Sequence, residues 1–161
     1  MSLVIDTLHI STITEELNNP EVEVLAELFE MRDFKAGDII AKPGDTPHDN
    51  LYILAHGEIA VKILSGNEEN TIHVLKPGDL AGIITFVGGP ASQHSATLYA
   101  VGDTKVLCLE RSRFEALINS HPMIVYKVMR GVVRNLHGIV RRINTQSMEL
   151  SNYIFRTHGR Y

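Results

Sequence analysis

Turn signals recur through the middle of the chain at a spacing that leaves room for short strands and little else. They fall at Ala36-Gly37-Asp38, Pro43-Gly44-Asp45, His56-Gly57-Glu58, Ser65-Gly66-Asn67, Pro77-Gly78-Asp79, Gly88-Gly89-Pro90 and Gly102-Asp103. Proline presets one turn dihedral, and glycine supplies the one that other residues avoid. Between these points lie β-rich runs: DIIAK, NLYILA, EIAVKIL, TIHVL, SATLYAV and TKVLCLE. In EIAVKIL, Ile59, Val61 and Ile63 share one face and Lys62 takes the other, the period of two expected of a strand. Short strands at roughly 8–12-residue spacing predict a β sandwich or roll from Phe34 to about Glu110. Two facing sheets of this kind enclose an interior that can hold one small ligand.

Residues 76–101, KPGDLAGIITFVGGPASQHSATLYAV, depart from this rhythm. Lys76-Pro77-Gly78-Asp79 is a turn, and Leu80 to Val87 is an apolar stretch read as a short helix, too short to stand without packing. Gly88-Gly89-Pro90 stops it, and Ser95 to Val101 returns to strand composition. A helix start followed by a loop and a returning strand lets backbone N–H groups converge on a small anion.

Helices are predicted on both flanks. Residues 12–31 read as helical, with Pro20-Glu21 suited to a first turn and Val22, Leu25, Leu28 and Phe29 at helical spacing. RSRFEALINS, 111–120, reads as a short helix with Phe114, Leu117 and Ile118 as its buried stripe. His121-Pro122 then marks a boundary. Beyond it, Val125, Met129, Val132, Leu136, Ile139, Ile143, Gln146, Leu150 and Tyr153 alternate by four and three, a heptad seam. These 29 positions span roughly 43 Å at ~1.5 Å per residue. The expectation is that no facing helix exists within the chain, so that the seam builds a parallel homodimer. Gln146 within it would fix register.

FKAGDIIAKPGD, NLYILAHGEIAVKI, VLKPGDLAG and VLCLERSRFEALINSHP, in this order, resemble successive pieces of the cyclic-nucleotide-binding domain, the sensor half of catabolite-activator and Fnr-like regulators. The resemblance implies a mainly β fold with flanking helices. It is an antiparallel double-stranded β-roll (jelly-roll-like) with short N-terminal helices over 1–121, then a long C-terminal dimerisation helix and tail over 122–161. Residues 76–101 resemble that family's phosphate-binding cassette. Gly82 matches its glycine, and Ser95-Ala96-Thr97 matches its end. Ile83 stands where the resemblance implies a ribose-binding glutamate. His94, or Gln93 if the loop is one residue longer, stands where it implies a phosphate-binding arginine. No Lys or Arg occurs between Lys76 and Lys105. Ile139, with Val140, occupies the part of the long helix where the resemblance implies hydroxyls facing the base. The expected binding positions are therefore Gly82, Ile83, Gln93, His94, Ser95, Ala96, Thr97 and Ile139. In the regulators a hinge and helix-turn-helix domain follow. Tyr161 leaves no room for a recognition helix, so nucleic-acid binding by this chain alone is not expected.

Charge and histidine content narrow the function classes. Net charge is −4, but residues 1–110 hold 6 Lys/Arg against 17 Asp/Glu, and residues 111–161 hold 9 against 2. A solvated basic helix explains this more simply than an anionic partner. There is no apolar run long enough for a bilayer and no signal-peptide pattern, so a cytoplasmic, non-membrane protein is expected. The single cysteine, Cys108 in VLCLE, reads as a buried inert thiol. Eight histidines raise haem or metal binding, with His73 or His94 as a haem ligand, yet no pair has ligand spacing. His94 beside Ser95 is no catalytic pair, because strand neighbours point to opposite faces. The chain is thus expected to be a non-enzymatic, dimeric regulatory module. Its pocket has lost or altered cAMP/cGMP binding and takes another small anionic effector or a partner protein. The alternatives are a true cyclic-nucleotide receptor with an atypical cassette, a structural dimerisation module, and the sensor half of a truncated transcription regulator.

Overall fold

The apolar runs NLYILA and VLCLE become the two central strands of one sheet, each buried on both faces. In β3 (Asn50–His56), Leu51, Ile53 and Ala55 face a helical layer, while Tyr52 and Leu54 face a second sheet. In β8 (Thr104–Glu110), Leu107 and Leu109 take the helical side, and Val106 and Cys108 the other. A strand covered on both faces needs no polar alternation, which is why these runs are continuously apolar. The computed structural model describes residues 2–44, 49–88 and 96–158.

The first sheet has the order β1-β8-β3-β6, with β1 at Glu30–Phe34 and β6 at Leu80–Ala81. The second has the order β2-β7-β4-β5. Its strands are β2 (Ile39–Ala41), β7 (Thr97–Ala100), β4 (Ile59–Ser65) and β5 (Glu68–Leu75). Every pairing is antiparallel. The mainly β roll expected from the turn spacing is therefore present. Two boundaries differ from expectation. Glu30 and Met31 leave the expected helical stretch: residues 30–34 form a strand that pairs with β8, from Glu30 opposite Cys108 to Phe34 opposite Thr104. Leu80 and Ala81 are not helical but pair with Ile53 and Tyr52, so α3 is confined to Ile83–Val87.

The helical layer comprises α1 (Ser2–His9), a 3₁₀ turn (Thr12–Thr14), α2 (Asn19–Ala26), α4 (Arg111–Glu115), α5 (Leu117–Ser120) and α6 (Pro122–His158). The sequence reading missed α1. It found α2, whose start is fixed by a capping box: the Asn18 side chain accepts from the Glu21 N–H, and Glu21 accepts from the Asn18 N–H. Phe114 and Leu117 are buried as expected, but Ile118 is exposed, because the stretch breaks into two short helices rather than one.

The first turns of α6 correct the seam reading. Ile124, Val128 and Val132 are fully buried in the helical core with Leu8, Ile13 and Leu25, and Val125 and Met129 pack against them. Val132 is thus an internal residue, and Val125 and Met129 are half-buried in the same chain. The facing partner is the 3₁₀ turn. Gly131 makes the approach possible, since a Cβ there would lie 2.4 Å from the Thr12 carbonyl oxygen and 2.5 Å from the Ile13 Cα. Cations on α6 then meet the acidic N-terminal segment. The Lys127 Nζ lies 3.1 Å from the Glu21 carboxylate, Arg130 Nε 2.8 Å from Glu16, and Arg134 Nη1 3.1 Å from Glu16 and 3.5 Å from Glu15. Part of the charge asymmetry is therefore neutralised inside the molecule. Of the expected seam, Leu136, Ile143, Leu150 and Tyr153 are exposed, and Ile139 is half-buried.

Candidate ligand cavity

A cavity of about 330 Å³ opens between the second sheet, α3 and α6. That lies within the ~300–1,000 Å³ of small-molecule sites. Its floor follows from strand register. Val61 of β4 stands opposite His73 of β5 on one side and Leu98 of β7 on the other, so three strands contribute one row, and all three residues line the cavity. Leu75 and Leu80 extend that wall.

The end wall is the turn into α3. Gly82 has φ 78° and sits where a Cβ would come within 2.7 Å of the Asn50 carbonyl oxygen and 3.1 Å of the Tyr52 ring. Both the left-handed backbone and the close approach to β3 require glycine. The chain then turns to present Ile83, Ile84 and Thr85 to the cavity. Ile83 is 7% exposed and packs into the helical core beside Leu80 and Phe86. The Thr85 hydroxyl donates to the Gly82 carbonyl at 3.0 Å, so its hydrogen is already committed. Gly88, with φ 80°, ends α3, its N–H donating to the Ile84 carbonyl at 3.1 Å.

The roof is α6, which contributes Leu136, Ile139 and Arg142. Residues three apart on a helix are neighbours on its surface, so this trio forms one edge of the helix. Arg142 was not anticipated from the sequence, although its place three residues after Ile139 was the available signal. It is exposed and makes no ion pair or hydrogen bond among the described residues. No carboxylate lines the cavity among those residues, and the polar side chains there are His73, Thr85 and Arg142.

The expected site residues separate into three groups. Gly82, Ile83, Ala96 and Ile139 are brought together around the cavity. Thr97 is not: it lies on the opposite face of β7 and lines a separate groove of similar size with Ile39, Lys62 and Tyr99. Strand alternation puts it there once Leu98 faces inward. Gln93, His94 and Ser95 lie outside the described residues. His73, raised as a haem ligand, is half-buried in the cavity wall. Among the described residues no His, Cys, Asp or Glu cluster could hold a metal ion.

Cys108 stands apart from the cavity. It is buried among Tyr52, Leu54 and Val106, and burial pushes its thiol up to about 11. The protonated thiol is a poor nucleophile, as the sequence reading held.

Comparison with known proteins places these features. Residues 31–121 match the family model described as "Cyclic nucleotide-binding domain". The chain is similar to an HTH-type transcriptional regulator, Cmr, from Mycobacterium tuberculosis, with 26% identity over 140 residues, 87% of this chain and 53% of that protein. It is similar to the cyclic AMP receptor protein of Thermus thermophilus, with 28% identity over 130 residues, 80% of this chain and 59% of that protein. The chain therefore spans just over half the length of these two regulators. A solved cyclic nucleotide-binding domain from Methylobacillus flagellatus superposes with a TM-score of 0.79 over 92% of this chain and 82% of that one. At 19% identity that likeness shows the fold alone. No helix among the described residues is long and apolar enough to cross a membrane.

Proposed function

Because the chain belongs to the cyclic nucleotide-binding domain family, we propose that it is a non-enzymatic, cytoplasmic regulatory module whose cavity no longer holds cAMP or cGMP in the family's manner. The observation that carries this is the wall at Ile83. An aliphatic side chain that is 7% exposed stands where the resemblance implies a ribose-binding carboxylate. An aliphatic group accepts no hydrogen bond from a ribose hydroxyl, and no other carboxylate lines the cavity among the described residues. Hydrogen bonds to charged groups contribute roughly 1.5–3 kcal/mol each, so loss of the ribose anchor alone weakens binding by about one to two orders of magnitude.

The module is dimeric in this reading. Its β-roll unit, residues 1–121, is joined to a second copy through the helix beginning at Pro122. Leu136, Ile139, Ile143 and Leu150 keep the heptad spacing beyond the part of α6 that packs on its own domain. A helix whose apolar stripe continues past its domain is stabilised by a matching stripe on a second copy. Leu136 and Ile139 also line the cavity, so dimer packing and ligand occupancy share side chains.

Isothermal titration of the unchanged protein with cAMP and with cGMP tests the ligand reading. The expected result is no saturable heat in the micromolar range. Micromolar or tighter binding refutes the altered cavity and restores a nucleotide receptor with an atypical cassette. A second reading, the sensor half of a longer transcription regulator, is favoured by the similarity to Cmr and to the Thermus thermophilus receptor, of which the matched stretch covers 53% and 59%. Sequencing the natural gene past the Tyr161 codon decides it.

A further inference from the structure

The chemistry of the cavity lining, beyond what it excludes, identifies a ligand class. Among the described residues no Phe, Tyr or Trp lines the cavity, and its one ring is the His73 imidazole, so a nucleobase or an aromatic acid finds little face to stack on. Apart from His73 and Thr85, the floor and walls are aliphatic, from Val61, Leu75, Leu80, Ile83 and Leu98. Among the described residues, the one permanently charged group on the cavity is the guanidinium of Arg142.

That guanidinium differs from the cations nearer the start of α6. Lys127, Arg130 and Arg134 each face a glutamate of the N-terminal segment. Arg142 faces none among the described residues, and it stands about 9 Å along the helix from Leu136, at ~1.5 Å per residue. Arg142 is exposed and lines the cavity, and an arginine beside an apolar surface characteristically buries its stem there and keeps its charged head in water. The cavity thus has an aliphatic interior and one cationic rim, the complement of a molecule with an aliphatic body and a single anionic end.

We propose that this cavity takes an aliphatic monocarboxylate, a medium-chain fatty acid, with its chain against the aliphatic wall and its carboxylate on the Arg142 guanidinium. This rests on the reading of the cavity as the module's ligand site. The planar fork of an arginine pairs a carboxylate through two parallel N–H···O bonds. Burial of each methylene adds to affinity independently of that pair.

The test is titration calorimetry of the unchanged protein with decanoate, decanol and cAMP, repeated with Arg142→Gln and with Arg141→Gln. Decanoate is expected to bind saturably at one per chain, and decanol about tenfold more weakly, because it lacks the charge-assisted pair. Arg142→Gln is expected to weaken decanoate by about tenfold and to leave decanol unchanged, while Arg141→Gln changes neither. On the unchanged protein, 0.5 M salt is expected to weaken decanoate alone, which tests the ion pair without any substitution. Absence of decanoate binding, equal affinity for decanol, or insensitivity to both salt and Arg142→Gln overturns the proposal. The cAMP titration separates the two readings. Micromolar cAMP binding refutes the altered cavity, whereas silence from decanoate and cAMP together refutes the fatty-acid assignment alone.

Discussion

Replacing Gly131 by alanine tests how firmly the long helix is fixed to its domain. Gly→Ala within an exposed helix ordinarily stabilises by about 1 kcal/mol, because alanine loses less backbone freedom on folding. At Gly131 the new methyl carbon would stand 2.4 Å from the Thr12 oxygen and 2.5 Å from the Ile13 Cα. Carbon atoms rest at roughly 3.5–4.0 Å, so the 3₁₀ turn must retreat by about 1 Å. Both obstructing atoms are backbone, which leaves no side-chain rotation to relieve the clash. Ile13, completely buried, would be pulled from the core, and the Glu16 contact to Arg130 would lengthen with it. Overpacking of this kind costs about 1–3 kcal/mol. After subtracting the helical gain, Gly131→Ala is expected to destabilise by up to about 2 kcal/mol. Gly138→Ala is the internal control. A Cβ there meets nothing within 4 Å, so the ordinary gain of about 1 kcal/mol is expected. The two variants should differ by about 1–3 kcal/mol, roughly 2–12 °C in Tm for a chain of this size. Urea and thermal unfolding at one fixed protein concentration read this out. Equal stabilisation by both substitutions would refute the packing of α6 on the 3₁₀ turn.

Three other outcomes follow from the same contacts. Ile143→Asp places like charges in the exposed part of the seam, and sedimentation should turn a dimer into a monomer; a wild-type protein that is monomeric at micromolar concentration rejects the dimer. Cys108, buried and with its thiol pushed up to about 11, should resist alkylation at pH 8 in the native protein and react at once in denaturant; rapid native labelling would contradict its burial. The carboxyls of Glu16, hydrogen-bonded by Arg130, and Glu21, hydrogen-bonded by the Asn18 N–H, are held below the usual glutamate range. Their contribution is complete above about pH 4.3 and is lost as pH falls through the lowered folded values. Glu16→Gln should therefore flatten the acid limb of the stability curve, and an unchanged limb would mean that the pair with Arg130 adds nothing.

The parts of the fold that were legible in the sequence are those where one local rule decides the outcome. Turn glycines and prolines bounded β3, β4, β5 and β8 because the turns need those backbones whatever surrounds them. The capping box at Asn18 and Glu21 and the helix start at Pro122 are local in the same sense. Tertiary partners decided the misreadings. Residues 30–34 join a sheet because β8 offers an edge, and nothing between Glu30 and Phe34 announces a partner seventy or more residues away. Val132 has the spacing of a seam residue, and periodicity cannot tell a second chain from a 3₁₀ turn of the same chain. The candidate site divides likewise. Gly82, Ile83, Ala96 and Ile139 were found through motif positions, whereas Thr97 was lost to strand alternation and Arg142 was invisible until α6 was laid across the cavity.

The continuity of α6 hides a change of regime along its length. Up to Asn135 its side chains are tied to the domain by burial, by Gly131 and by four ion pairs. From Leu136 to Ile154 no residue except Ile139 is even half-buried. Amide hydrogens in the first part can exchange with solvent only when the whole domain opens, so their protection reports global stability. Those in the second part are guarded by helix–coil equilibrium alone, which is marginal in water, unless another surface covers them. A single unbroken helix should therefore show a step in deuterium uptake near Leu136. Any occupant of the cavity that touches Leu136, Ile139 and Arg142, or any second copy along the stripe, would move that step toward the C-terminus, so the position of the step serves as an indicator of what the module has bound.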